Sequence, residues 1–298
     1  MDGFRTHRFE TPDGVSLAVH DRPGPRPDAR VVVLANGLGG NLPAWRHLVE
    51  HFGPTHRIVS WDYRGLYGSS LSPVQAEGSV DVSVEAHVAD ALYILDQLAI
   101  ERAVLVGWSM GVQLSFDVAS RSPDRFEGIV ALSGGYGQVF THTVIGSAGA
   151  PFIMPGMEIM RRVLTNFGGP VARVARAPFL IRSLKALGVV APTLDEQVFT
   201  ELVAEYVRLD FGVYNRILAS LHTHDVQHLL PELPMPVLVM AGDRDPMTPH
   251  AVSLRIVELL RDAELLILPG GTHYVPVEKP DAINRRIERF FRERLDHP

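Results

Sequence analysis

Apolar residues recur along this chain in two rhythms. The first is a set of short, β-branched runs: Arg30–Ala35, Arg57–Trp61, Ala103–Val106, Gly128–Leu132, Pro236–Ala241 and Glu264–Leu268. Each is too short for a helix and predominantly apolar, as a strand buried on both faces is. The second is helical spacing. In Ser83–Leu98, residues Val84, Val88, Ala91, Leu92, Leu95 and Leu98 share one face. Pro43–Phe52, Met110–Ala119, Pro249–Leu260 and Pro280–Leu295 also read as helices. At the start, Phe4–Glu10 and Val15–His20 flank Thr-Pro-Asp-Gly and read as a hairpin, with Asp21–Pro27 as a loop. Strands alternating with helices predict a mostly parallel sheet covered on both faces.

The alternation stops at Ser133 and resumes near Pro234. Between them no strand pattern occurs, and Met157–Asn166, Pro170–Leu187, Leu194–Arg208 and Tyr214–Leu221 read as helices. The expectation is a core of residues 1–133 and 234–298 carrying a helical cap, 134–233. The cap is apolar, with Phe152, Ile153, Met154, Met157, Met160, Phe167, Phe179 and Phe199.

Composition narrows the function classes. The 298 residues are 46% hydrophobic, enough for a large core, and the net charge is −6 with no basic run, which argues against nucleic acid as a partner. There is no cysteine, so disulfides, thiolate metal sites and a cysteine nucleophile are excluded. No apolar run reaches transmembrane length, and the first residues lack the apolar stretch of a leader, so a cytoplasmic protein is expected.

The chemistry centres on Gly107-Trp108-Ser109-Met110-Gly111, between a strand and a helix. A serine held in a strand–turn–helix junction by flanking glycines is a nucleophile elbow, and the Met110 N–H lies at a helix N-terminus, where negative charge is stabilised. A serine hydroxyl needs a positioned base. Of 13 histidines, His273 lies just past the last strand, at the sheet edge where ligands bind in open α/β folds. His222, His224 and His228 lack an obvious carboxylate shell, so no metal site is expected there. Past another strand lie Asp243 and Asp245. Asp245, further into the loop and before a proline, is the better partner for His273, and Asp243 is the alternative.

The order Ser109, Asp245, His273 and several local motifs resemble the α/β-hydrolase superfamily from about Val15 to Leu295. Asn36-Gly37-Leu38-Gly39-Gly40 resembles its oxyanion loop, with Asn36 where His is usual. Asp62-Tyr63-Arg64-Gly65…Gly68-Ser69-Ser70 resembles its D-x-R-G-x-G-x-S stretch. Gly270–Pro280 resembles its G-H-x-x-x-x-E-x-P ending, with Thr272 before the histidine. The resemblance implies an eight-stranded sheet with a helical cap, and an oxyanion hole formed by the Leu38 and Met110 N–H groups. Asn36 and Trp108 become candidate substrate contacts. Serine at the elbow separates the chain from the aspartate-dependent dehalogenases and epoxide hydrolases. The expected activity is cleavage of a carboxylic ester or related acyl group, without metal or organic cofactor, on a small apolar acyl substrate bound under the cap. Carbon–carbon bond hydrolysis, thioester hydrolysis, cofactor-free perhydrolysis and a non-catalytic binding role are the alternatives.

Overall fold

The computed structural model describes residues 2–71, 80–137 and 178–296. Eight strands form one sheet: β1 (Arg5–Glu10), β2 (Ser16–Arg22), β3 (Val31–Ala35), β4 (Arg57–Trp61), β5 (Ala103–Trp108), β6 (Phe126–Leu132), β7 (Val237–Gly242) and β8 (Ala263–Leu268). Their order across the sheet is β1-β2-β4-β3-β5-β6-β7-β8. The β1–β2 and β2–β4 pairs are antiparallel and all others parallel. This is the mostly parallel, eight-stranded α/β architecture expected.

The continuous apolar runs arise because both faces are covered. In β5, Ala103 and Leu105 enter one core while Val104, Val106 and Trp108 enter the other. Helices α2 (Val84–Gln97), α3 (Met110–Arg121) and α7 (His250–Leu259) pack on the first core; α1 (Arg46–Phe52) and α8 (Pro280–Phe290) pack on the second. Ser83 caps α2 by accepting from the Ala86 N–H at 3.2 Å.

Several boundaries differ from the sequence reading. Asp21 and Arg22, expected in a loop, continue β2 and pair with Val59 and Ile58. A fork from Arg57 to the Asp21 carboxylate (2.9 and 2.8 Å) supports the extra pair, and Pro23 follows it. The helix expected over Pro43–Phe52 begins as a 3₁₀ turn, Leu42–Trp45.

Between β6 and β7 the described residues form α4 (Pro178–Ala186), α5 (Glu196–Tyr206) and α6 (Phe211–Thr223). The last starts at Phe211 because Asp210 caps it, accepting from the Gly212 and Val213 N–H groups at 2.7 and 3.2 Å. The expected helix Met157–Asn166, the first part of Pro170–Leu187, and Phe152, Ile153, Met154, Met160 and Phe167 lie outside the described residues. The chain leaves the core at Gly137 and returns at Asp225, and these two residues form an antiparallel bridge. A Cβ at Gly137 would meet the Asp225 side chain at 2.8 Å, so this close approach requires glycine. Among the described residues no helix is long and apolar enough to cross a membrane.

Candidate active site

The parallel register lines up the C-terminal strand ends. Ala35 pairs with Gly107, Trp108 with Leu132, and Gly242 with Leu268. The loops that carry Asn36–Gly40, Ser109, Asp245 and His273 therefore meet at one edge.

Ser109 adopts φ 56° and ψ −119°, a left-handed conformation at the junction of β5 and α3. Such a backbone costs on the order of 1–3 kcal/mol and persists only when its surroundings enforce it. Here a Cβ at Gly107 would overlap the Gly111 carbonyl, and a Cβ at Gly111 would overlap the Ala35 carbonyl, so both positions must be glycine. The Ser109 Oγ lies 2.9 Å from His273 Nε2. His273 Nδ1 lies 2.9 Å from Asp245 Oδ2. The Asp245 carboxylate also accepts from the Met247 and Thr248 N–H groups, both at 2.8 Å, and from the Thr248 hydroxyl at 2.7 Å. Burial raises the Asp245 pKa, but the adjacent imidazole and the Thr248 bonds outweigh it, and the net pKa is below the usual carboxylate value. Asp243 points elsewhere, accepting from the Gly270 N–H at 2.7 Å.

Trp108 and Glu278 fix the His273 loop. The Trp108 indole N–H donates to the His273 carbonyl at 2.8 Å. Glu278, 2% exposed, accepts from the Thr272 N–H (2.7 Å), the Thr272 hydroxyl (2.6 Å) and the Ala191 N–H (2.7 Å). One carboxylate thus ties the histidine loop to the helical insert. Glu278 belongs to the G-H-x-x-x-x-E-x-P motif, but its partners are not readable from sequence. Thr248 was missed altogether.

The Leu38 loop abuts the serine. A Cβ at Gly37 would come within 3.2 Å of the Ser109 Cβ. Among the described residues, neither the Leu38 N–H nor the Met110 N–H has an acceptor. Met110 begins the 12-residue α3, whose dipole adds positive potential there. Asn36 sits beneath this loop, 1% exposed. Its amide donates to the Trp61 carbonyl at 2.8 Å and accepts from the Trp45 indole at 2.7 Å, while the Tyr63 hydroxyl donates to its carbonyl at 2.6 Å. Behind the loop, Arg64 joins Asp90 (2.7 Å) and Asp13 (2.7 Å), and Asp62 accepts from the Gly68 N–H at 3.0 Å, which accounts for the Asp-x-Arg-Gly stretch as a loop brace.

His224, expected to lack a carboxylate partner, is buried beside one. Its ring nitrogens lie 2.7 Å from Gln113 Nε2 and 2.8 Å from Asp117 Oδ2, joining the end of the insert to α3. Among the described residues no group of His, Asp and Glu is arranged to hold a metal ion.

A mostly parallel eight-stranded sheet, with a serine at a strained strand–helix junction and a histidine and an aspartate past later strands at the same edge, is the architecture of an alpha/beta hydrolase. The chain belongs to the alpha/beta hydrolase family, whose profile matches residues 32–286. It is 28% identical over 273 residues to "Putative carbamate hydrolase RutD" of Rhizobium rhizogenes, covering 91% of this chain and 96% of that protein. It is 26% identical over 261 residues to 3-oxoadipate enol-lactonase 2 of Acinetobacter baylyi, covering 88% of each. Among solved structures, an esterase from Thermogutta terrifontis superposes with a TM-score of 0.74 at 19% identity, covering 98% of this chain and 99% of that one. Family membership and the names of these relatives support a hydrolytic enzyme.

Proposed function

We propose that the protein is a serine hydrolase of open-chain or cyclic carboxylic esters. The observation that carries this reading is the continuous hydrogen-bonded line from Ser109 through His273 to Asp245. His273 Nε2 takes the Ser109 proton as Oγ attacks the ester carbonyl. Asp245 holds the ring and stabilises the imidazolium that forms. The carbonyl oxygen, now an oxyanion, accepts from the Leu38 and Met110 N–H groups, each contributing about 2.7–4 kcal/mol to the transition state. The imidazolium returns its proton to the departing alkoxide, leaving Ser109 acylated. A water molecule, deprotonated by His273, attacks the acyl carbonyl, and collapse restores the Ser109 hydroxyl and frees the acid. The chemistry needs no cofactor.

Asn36 and Trp108, candidate substrate contacts, fit positioning roles better, since the Asn36 amide is already engaged by Trp61 and Trp45 and the Trp108 indole by the His273 carbonyl. The insert fits the part of a cap that shapes a small-molecule cleft. The test is hydrolysis of p-nitrophenyl esters together with labelling by a fluorophosphonate. Wild-type protein is expected to do both and Ser109→Ala neither. Substantial ester hydrolysis by Ser109→Ala would overturn the assignment.

A further inference from the structure

The two oxygens of the Asp245 carboxylate are held differently. Oδ1 accepts two backbone donors, the Met247 and Thr248 N–H groups, both at 2.8 Å. Oδ2 faces the base, 2.9 Å from His273 Nδ1, and among the described residues its one other partner is the Thr248 hydroxyl, at 2.7 Å. The same hydroxyl oxygen lies 3.3 Å from His273 Nδ1. Thr248 Oγ1, Asp245 Oδ2 and His273 Nδ1 therefore form a closed triangle of polar atoms. The Asp245 side chain is fully buried and that of His273 is 5% exposed, so the triangle is shut off from bulk water.

A fourth atom steadies the hydroxyl. Thr248 Oγ1 lies 3.0 Å from the Ser133 carbonyl oxygen. Ser133 is buried, and its N–H donates to the Met240 carbonyl at 2.9 Å. It stands where the chain leaves β6, at φ 44°, a left-handed conformation that a residue other than glycine holds only when its surroundings enforce it. A hydroxyl has one proton to give and lone pairs with which to receive. Here two oxygens, Asp245 Oδ2 and the Ser133 carbonyl, claim that proton. For Nε2 to take the Ser109 proton, the neutral His273 ring must carry its own proton on Nδ1. The Thr248 oxygen then receives from Nδ1–H alongside the carboxylate. The opposite tautomer would turn a bare Nδ1 toward the carboxylate, and the Thr248 proton, already claimed, is not free to meet it.

We propose that Thr248 is a positioning residue for ester hydrolysis: anchored between Asp245 and the Ser133 carbonyl, its hydroxyl offers His273 Nδ1–H a second acceptor and keeps the ring in the tautomer that can take the Ser109 proton. The proposal rests on the serine esterase reading and adds Thr248 to the line from Ser109 to Asp245. It gives the role to the hydroxyl, not to the size or branching of the side chain. With the hydroxyl gone, Oδ2 is held only by the ring proton that it has to orient, and the Ser133 carbonyl loses the Thr248 donor.

The test is steady-state hydrolysis of one p-nitrophenyl ester by wild type, Thr248→Ser, Thr248→Val and Thr248→Ala. A hydrogen bond of ordinary net strength corresponds to a factor of about five- to tenfold. Thr248→Val and Thr248→Ala, one keeping the shape and one not, should lower kcat by that factor with KM within about twofold of wild type. Thr248→Ser should stay within about twofold of wild type in both constants. A double-mutant cycle with Asp245→Asn separates positioning from support of the fold: without the carboxylate, the Thr248→Val factor should shrink below about twofold. An equal loss in both backgrounds overturns the proposal. So does a wild-type kcat in the hydroxyl-free variants, a loss carried by KM alone, or a Thr248→Ser kcat as low as theirs. Failure of both hydroxyl-free variants to fold, where Thr248→Ser folds, also overturns it, in favour of a structural role. Phosphonylation of Ser109 by a fluorophosphonate uses the same base and gives a second rate. If wild type is labelled but hydrolyses no ester, slower labelling of Thr248→Val supports the proposal and an unchanged rate overturns it alone. If wild type is not labelled either, the esterase reading falls and the proposal falls with it.

Discussion

Asn36→Asp places an oxygen where an amide nitrogen stood, at nearly constant shape. The carboxyl oxygen facing the Trp45 indole keeps its donor at 2.7 Å. The other faces the Trp61 carbonyl oxygen at the 2.8 Å position where the amide donated. Two acceptors cannot share that contact unless the carboxyl keeps its proton. The site is 1% exposed, and no cation bonds to Asn36 among the described residues. A buried carboxyl of this kind has its pKa raised by roughly 3 units above an unfolded value of about 3.9. The protonated form is then favoured by folding, so the variant is least penalised below about pH 3.9 and loses stability as pH rises toward about 7. At about 1.36 kcal/mol per unit, the charge penalty is roughly 1.5 kcal/mol at pH 5 and roughly 4 kcal/mol at pH 8. Urea unfolding of wild type and Asn36→Asp at both pH values should show the stability gap widening by about 2.5 kcal/mol. A gap equal at the two pH values would refute the hydrogen-bond assignment that places a donor against Trp61.

Asp245→Asn should lower kcat by about 10³–10⁴-fold while KM changes little, because an amide no longer stabilises the imidazolium; steady-state kinetics on one p-nitrophenyl ester checks it. The folded-state pKa of Asp245 is depressed below 3.8, so the wild-type carboxylate contributes stability above that value and loses it as pH falls through the folded pKa. Between pH 5 and pH 3, Asp245→Asn should therefore lose less thermal stability than wild type. Glu278→Gln turns an amide NH2 donor toward the Thr272 or Ala191 donors; the expected cost is about 2–4 kcal/mol in chemical denaturation, with a fall in kcat as the histidine loop loosens. Trp108→Phe removes the donor to the His273 carbonyl, and a stability loss of about 1–3 kcal/mol with a several-fold drop in kcat is expected. Tyr67→Phe frees the Gly39 carbonyl beside Leu38 and should lower kcat on a p-nitrophenyl ester several-fold, as steady-state kinetics would show.

The sheet was readable because strands buried on both faces, such as Val32–Ala35 and Ala103–Val106, must be apolar throughout, and helices such as Ser83–Leu98 must be apolar on one face only. The edges were less readable. Asp21 looked like a loop residue because its charge is offset by Arg57, which lies on a different strand. Ser109, Asp245 and His273 stood out because the elbow needs glycines beside the serine and the other two follow apolar runs. Their supports did not stand out. Thr248 braces Asp245 with an ordinary hydroxyl, and Tyr67 meets Gly39 only through the fold. His224 shows the same limit. In sequence it reads as one of three histidines in a polar stretch, whereas its partners, Gln113 and Asp117, lie on the helix that follows the serine.

The bridge between Gly137 and Asp225 has a consequence for how this chain can change over time. Because Gly137 and Asp225 are paired, the two ends of the excursion between β6 and β7 meet at the core. Lengthening such a closed excursion costs only slowly rising entropy, about 0.6 kcal/mol per doubling. The segment is nevertheless anchored to the core, through Ala191 on Glu278, His224 on Gln113 and Asp117, and Ser220 on the Val84 N–H. A graft joined at these two residues should therefore leave the strand order intact only where the new excursion rebuilds those anchors.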